Sequence, residues 1–392
     1  MINIPQEIIQ LILADFDAVV ERAWLQNISL VNGHFAVPAQ RILFKSLAIE
    51  GDDRTNWRPT IERALNLATG SPHLTSYVKD LTVVLPRSNY PEEQNLLLRL
   101  LLKLPNIQRF VIKGVGVRWA SLAQELQSAL FDFLHQPGLE QLHLISIFDI
   151  PLHTMAFIMQ NMRVLSLQNV TVQKSEDTHA VIDDALPKLR HLRVSMYWES
   201  IFVALRPNTR CMAAVTQLTI QEPSASAVEL LDAAAATLAY LQLEYFSNPS
   251  LEFKLPHLPH LVSLDLQIRP FNALLPPALP DLLASNAAAL PALRTLTIHI
   301  CLPVRYSSVR PLAPKDLAIF EVIPNAQPLS VLPAAFPRLS RCVWDLVFAE
   351  IPHGRETFTL FCTAVQQNLA GWPEGGVLDV RESVRRRNAE LP

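Results

Sequence analysis

The 392-residue sequence predicts an α/β chain: three helices at the N-terminus, then parallel strands and return helices stacked as a solenoid. Three observations predict it. A short β-like stretch built on L-x-x-L-x-L returns many times after residue 78. Its spacing is nearly regular, and segments with helical spacing fill the intervals.

The chain opens on IPQEIIQLILADF, residues 4–16. Pro5 stands in the first turn of a helix, where its missing N–H costs nothing. Ile8 and Ile12 lie four apart, as do Ile9 and Leu13, so aliphatic side chains occupy more than one face. WLQNISLVNGHF (24–35) and PAQRILFKSLAI (38–49) supply two further apolar segments. So apolar an opening calls for a cover. A helical junction is expected over 51–77. LLLRLLLKL (96–104) is broken by Arg99 and Lys103, which makes it a core-facing helix and not a membrane span.

The strand series is expected to open at VKDLTVVL (78–85). It continues through LPNIQRFVI (104–112), GLEQLHLIS (138–146), MQNMRVLSL (159–167), LPKLRHLRV (186–194) and MAAVTQLTI (212–220). ATLAYLQLE (236–244), LPHLVSLDL (258–266), LPALRTLTI (290–298) and FPRLSRCVW (336–344) follow, and GGVLDV (375–380) closes it. From Leu142 the first strand leucine recurs at Leu165, Leu192, Leu218, Leu241 and Leu264, in steps of 23, 27, 26, 23 and 23 residues, and Leu296 comes 32 later. Alternation turns these leucines to one face of a strand. Between strands, 121–136 aligns Leu122, Leu126, Ala129, Leu130 and Phe133 on one stripe. Segment 225–238 aligns Val228, Leu231, Ala235 and Leu238. Neither element buries its apolar face alone; stacking on the next unit does that for both. Proline before several strands suits a helix that has just ended.

The steps resemble those of leucine-rich repeats in an irregular form. The asparagine of the usual L-x-x-N turn is mostly absent, and Asn169 in LSLQNV falls one place short of it. An α/β domain of parallel strands and crossover helices is the alternative, although it does not need L-x-L at every strand. In the repeat family the strands line a concave side, and the side chains opposite the core leucines face it. Here those are Gln141 and His143, His191 and Arg193, Gln217 and Thr219, Tyr240 and Gln242, Asp265 and Gln267, Thr297 and His299. His143, Arg193, Thr219, Tyr240, Gln242 and Asp265 are the expected contacts to a target protein. Tyr240 and Arg193 lead, since Tyr and Arg carry much interface energy. A plain solvated sheet face would look the same. On either reading these positions are replaceable at little cost in stability. The proline-rich stretch from Cys301 to Pro337 interrupts the array and is a second candidate for binding.

Residues 2–49 resemble an F-box, and the form SLV…F…P…LF resembles a fungal subset of that family. Ile4-Pro5 stands where the family begins with Leu-Pro, and Glu7-Ile8-Ile9 where it has an acid and two aliphatics. Ser29-Leu30-Val31 with Phe35 matches a valine-bearing helix ending in an aromatic, usually tryptophan; Leu43-Phe44 closes the module. HLTSYVKDLTV (73–83) resembles the junction that follows. The resemblance implies that Ile4, Pro5, Ile8, Ile12, Leu30, Val31, Phe35 and Leu43 bind the Skp-type adaptor of a cullin–RING ubiquitin ligase. It divides the chain into a module at 1–50, a junction at 51–77 and a repeat array with a C-terminal cap at 78–392. The competing expectation is that the N-terminal residues only cap the solenoid, as end repeats require.

Other classes find little support. With 33 basic and 36 acidic residues the chain lacks the excess positive charge of a nucleic-acid protein. Cys211, Cys301, Cys342 and Cys362 are far apart and read as buried thiols in a reducing compartment. No basic segment leads the apolar opening, Asp15 and Asp17 follow at once, and no membrane partner is expected. A soluble protein of cytoplasm or nucleus is expected. Phosphate-loop, dinucleotide, metalloprotease and serine-hydrolase motifs are absent from the sequence. Gly114 and Gly116 suggest a turn, His257 and His260 a solvated pair, and RESVRRR (381–387) a solvated C-terminal helix. Asp52-Asp53, Glu92-Glu93 and Asp183-Asp184 fit loops or helix starts. No cofactor or metal is expected. The expected function is a non-catalytic subunit that brings a target to a ligase. A leucine-rich scaffold with no ligase role, or an enzyme with a site assembled across repeats, are the rivals.

Overall fold

The computed structural model describes residues 8–9, 12–13, 20–31, 33–50, 58–86, 90–173, 187–245, 253–269, 279–302, 335–348, 358–359, 361–363, 365 and 377–384. The chain divides into two compact units. One holds Met1–Ala185 with Val203–Leu205, the other Leu186–Phe202 with Arg206–Pro392.

In the first unit, α1 (Arg22–Val31) and α2 (Gly33–Leu43) precede β1 (Ser46–Ile49), α3 (Arg58–Gly70), the single turn α4 (Pro72–Thr75) and β2 (Asp80–Val84). Then come α5 (Pro91–Leu101), β3 (Arg109–Arg118), α6 (Gln124–Leu134), β4 (Gln141–Phe148), α7 (Leu152–Asn161) and β5 (Val164–Gln168). Strands β1 to β5 pair in chain order, every pair parallel. The second unit holds β6 (His191–Ser195), most of α8 (Trp198–Leu205), β7 (Gln217–Gln221), α9 (Ser226–Ala234), β8 (Tyr240–Tyr245) and β9 (Ser263–Ile268). After these come α10 (Leu279–Asn286), β10 (Thr295–Leu302), β11 (Arg341–Phe348) and β12 (Val377–Val384). Strands β6 to β12 also pair parallel in chain order. Within neither unit does the order reverse, so neither has the switch point of a doubly wound sheet.

Register places the strand leucines in rungs. Leu81, Phe110, Leu142 and Leu165 align in the first unit. Leu192, Leu218, Leu241, Leu264 and Leu296 align in the second, and Cys342 continues their row. All are buried. A second rung two residues on (Val194, Ile220, Leu243, Leu266, Ile298, Trp344) is equally buried. A backbone device fixes the zero offset. The carbonyl just ahead of a strand accepts two successive amides at the entry of the next, as Thr216 does from Ala239 and Tyr240 (2.9 and 3.0 Å) and Val262 from Arg294 and Thr295 (2.9 and 3.0 Å).

Asp149, Asn169, Met196 and Glu222 each follow directly on a strand and have φ of 56°, 55°, 43° and 51°. This left-handed residue turns the chain out of the sheet, a conformation Asn and Asp tolerate better than most. Asn169 adds a side-chain bond, its amide donating to Ser146 Oγ at 3.1 Å. Its register with the strand end, and not the L-x-x-N count, explains its place.

Helical stripes meet the strands' apolar side. Leu126, Ala129, Leu130 and Phe133 of α6 are buried, with Leu122 just before it. In α9 the buried line is Ala227, Leu230, Leu231 and Ala234, then Leu238. Val228 and Ala235 are only half-buried, so the expected stripe is rotated by about one position. α5 buries Leu97, Leu100 and Leu101, and Glu92-Glu93 lies in its first turn. No helix among the described residues is long and apolar enough to cross a membrane.

Several expectations need correction. The sheet opens one strand before VKDLTVVL, because Ser46–Ile49 pairs with Asp80–Val83. Segment 38–49 is therefore not one helix: Pro38 lies inside α2, which ends at Leu43. The basic run from Arg381 begins in a strand, β12, and not in a helix. Gly114 and Gly116 lie within β3, where the register with β4 shifts between Lys113 and Val117. Gly116 takes φ 71° there, and a Cβ on Gly114 would stand 2.7 Å from the Ser146 carbonyl oxygen. That is a bulge requirement and not a nucleotide loop.

Candidate functional site

Two surfaces hold the residues singled out by sequence. On the N-terminal module, Ile8, Ile9, Ile12 and Leu13 are helical. Ile9 and Leu13 form a small core with Leu25 and Ala39, against which Ile28, Phe35, Ile42 and Leu43 pack. Ile8 and Ile12 face away from it, 45% and 52% exposed, and Leu30 is 85% exposed. Helix periodicity produces the split: residues one apart sit about 100° round the axis, so an Ile-Ile pair repeated after four divides between core and surface. Phe35 and Leu43 serve the module's own core, with their side chains half-buried. Val20 and Trp24 are also exposed, and the sequence reading passed them over. Ile4 and Pro5 lie outside the described residues, as does the Val31 side chain.

The second surface is the polar face of the strands. In the first unit it includes His143, which is buried; its Nε2 lies 3.4 Å from Arg109 Nε. In the second unit the face carries a continuous network. Register aligns Arg193, Thr219, Gln242, Asp265 and Thr297 in one row. His191, Gln217 and Tyr240 stand in the row before, and Gln221, Glu244, Gln267, His299 and Asp345 in the row after.

Glu244 is the first hub. Its Oε1 accepts from Arg193 Nη2 at 2.9 Å and from Gln242 Nε2 at 3.4 Å, and its Oε2 from Gln221 Nε2 at 3.0 Å. Thr219 Oγ1 donates to Gln242 Oε1 at 3.3 Å. His299 is the second hub. Its Nε2 lies 3.2 Å from Asp265 Oδ2 and its Nδ1 2.8 Å from Asp345 Oδ2. Tyr240 donates to Asp265 at 3.1 Å and Ser383 to Asp345 at 2.9 Å. A neutral imidazole has one N–H, so donating to both carboxylates requires the imidazolium. Burial alone would depress the His299 pKa, but bonds and charge from Asp265 and Asp345 outweigh it and raise the value to about 9. Burial, with the Asp265 carboxylate, pushes the Tyr240 phenol well above its ordinary range.

The expectation of a plainly solvated face is therefore corrected. Thr219 and His143 are buried, Arg193, Tyr240, Gln242 and Asp265 are half-buried, and all but His143 bond to other residues of the face of the second unit. Glu244, Asp345, Arg381 and Ser383 were missed. Glu244 shares the strand parity of Gln242, two residues earlier, so alternation alone points to it.

Among the described residues no group of three or more His, Cys, Asp and Glu has the arrangement to hold a metal. Burial pushes the Cys211 thiol up to about 11 and Cys342 to about 12, so both stay protonated and unreactive at neutral pH. The network can order a polar surface and present hydrogen-bonding groups. No family model matches the sequence, and no curated protein matches it.

Proposed function

We propose that this chain is a non-catalytic substrate-recognition subunit of a Skp–cullin–F-box type ubiquitin ligase, acting in the cytoplasm or nucleus. The N-terminal module holds the Skp-type adaptor, and the strand face of a leucine-rich array holds a target protein. The division among the helical residues Ile8, Ile9, Ile12 and Leu13 carries this reading: Ile9 and Leu13 supply the module's core while Ile8 and Ile12, like Leu30 of α1, stay exposed. Aliphatic side chains left in water by a module that already has a core are what a partner helix covers. The mechanism is proximity. Two binding surfaces on one chain raise the concentration of the target beside the ubiquitin-carrying enzyme, and no residue here forms a covalent bond.

The test is a pull-down of the full chain with a Skp-type adaptor. Ile8→Asp abolishes capture, since a carboxylate does not enter an apolar interface cheaply. Ile8→Ala weakens it by about one order of magnitude, in line with roughly 1.5–3 kcal/mol for a fully buried aliphatic. Wild-type capture by folded Ile8→Asp would sink the ligase reading and leave a leucine-rich scaffold.

A further inference from the structure

On the strand face of the second unit the most deeply buried charges are carboxylates. The side chains of Glu244 and Asp345 are 2% and 4% exposed, whereas those of Arg193, Arg341 and Arg381 are 32%, 50% and 47% exposed. Alternation puts all five on the same side of their strands. Each guanidinium is steadied from below or beside through one nitrogen. Arg193 Nη2 holds Glu244, Arg381 Nε lies 3.6 Å from Asp345, and Arg341 Nη2 lies 3.3 Å from Asp379. Arg269 Nη2 lies 4.0 Å from the other oxygen of Glu244, so two guanidiniums share one buried carboxylate. A guanidinium has five N–H donors in a rigid fork, so the anchoring contacts of Arg193, Arg341 and Arg381 leave donors of each fork for a ligand.

The outward layer is thus cationic although the chain as a whole carries a formal charge of −3. Five cations on the face (Arg193, Arg269, His299, Arg341, Arg381) meet four carboxylates (Glu244, Asp265, Asp345, Asp379). Forks pre-oriented over buried acids, as at Arg193 and Arg381, suit bidentate recognition of carboxylates, and Arg341 pairs with the part-exposed Asp379. Because every arginine is part-neutralised, the face lacks the unopposed charge that binds a nucleic-acid backbone.

We infer that this face takes an acidic, extended segment of a protein, its Asp and Glu side chains docking on Arg193 at one end and on Arg341 and Arg381 at the other. The inference rests on the strand face being the target surface proposed above. Six strand steps separate β6 from β12, roughly 29 Å at about 4.8 Å per step, which an extended peptide spans with roughly nine residues. Tyr240, fixed by Asp265, offers an aromatic surface along the way.

The probe is a fluorescein-labelled decapeptide of alternating Glu and Ser, titrated by fluorescence anisotropy into the full chain beside its Gln-for-Glu counterpart and a ten-residue uridylate RNA. Two variants locate the site. Arg193→Gln/Arg341→Gln/Arg381→Gln removes charge while Gln at 193 still offers Glu244 a donor. Thr297→Trp fills the face and leaves every charge in place. Circular dichroism melts check that both stay folded. The expected result is binding of the Glu peptide about tenfold or more tighter than the Gln peptide, lost in both variants. Equal binding of the two peptides, with both weakened by Thr297→Trp, overturns the acidic partner and leaves the strand face as target surface. Indifference of the Glu peptide to Thr297→Trp overturns both. Arginine-dependent binding of the RNA tighter than that of the peptide overturns the choice of a protein ligand.

Discussion

His299 sets the most demanding quantitative expectation. Its ring lies between Asp265 and Asp345, 3.2 and 2.8 Å away, with its side chain 18% exposed. Tyr240 approaches from β8 through Asp265, and Arg381 and Ser383 from β12 through Asp345. The folded-state pKa is raised to about 9, against about 6.5 in an unfolded chain. A raised histidine pKa means that the imidazolium stabilises the fold. That contribution is complete below about pH 6.5 and disappears as pH rises through about 9. Linkage makes it on the order of 2–3 kcal/mol, the lower figure allowing for solvent at the exposed edge of the ring. The direct assay is a histidine ¹³C NMR titration of the full chain, with the His299 signal assigned by its disappearance in His299→Gln. Denaturant melts at pH 6.5, 8 and 9.5 then compare wild type with that variant. Wild type loses stability across the interval and His299→Gln is nearly flat. His299→Ala costs about 3–5 kcal/mol at pH 7, because the half-buried Asp265 and the buried Asp345 lose the cation between them. A ring that titrates below pH 7, or equal pH slopes in wild type and variant, would refute the clamped imidazolium.

Two further expectations concern the scaffold. Leu241→Ala, in the middle of the buried row from Leu192 to Leu296, lowers stability by about 2–5 kcal/mol in denaturant melts; a change below about 1 kcal/mol would mean the row is not a packed core. Gly114→Ala brings a Cβ to 2.7 Å from the Ser146 carbonyl oxygen and costs about 1–3 kcal/mol as the β3–β4 bulge shifts, which hydrogen exchange at β4 amides reads. Unchanged protection there would show that the bulge relaxes freely.

The period-two pattern made the apolar half of the sheet legible. Leucines recurring in L-x-L fix which side of each strand is buried, and a slip of one residue would turn the whole row to the other face. Leu218, Leu241 and Leu264 therefore needed no structure to be placed together. The start of the sheet was less legible, because SLAI (46–49) follows an apolar helical run and is only four residues long. Nor does the sequence place Pro38, which sits in mid-helix at α2, where proline is uncommon.

Depth on the polar face was not legible at all, for a physical reason. Alternation says which side a residue takes, but its burial depends on neighbours far away in sequence. Arg193 is held by Glu244, 51 residues on, and His299 by Asp345, 46 residues on. Each such pair needs its strands to stand in zero offset, which the doubly accepting carbonyls ahead of the strands impose. Once that register holds, a carboxylate on one strand lies beneath the long side chains of the next, and arginine covers it with its stem while its head stays near water. Glu244 and Asp345 thus sink while Arg193 and Arg381 rise on one sheet face without any change of side. The same geometry that stabilises the second unit decides which charges a partner meets. Stability and recognition are coupled there: removing Glu244 weakens the fold and also releases Arg193 from its orientation. Arg341 and Arg381, half in water, are the positions where charge can be altered with the least structural consequence.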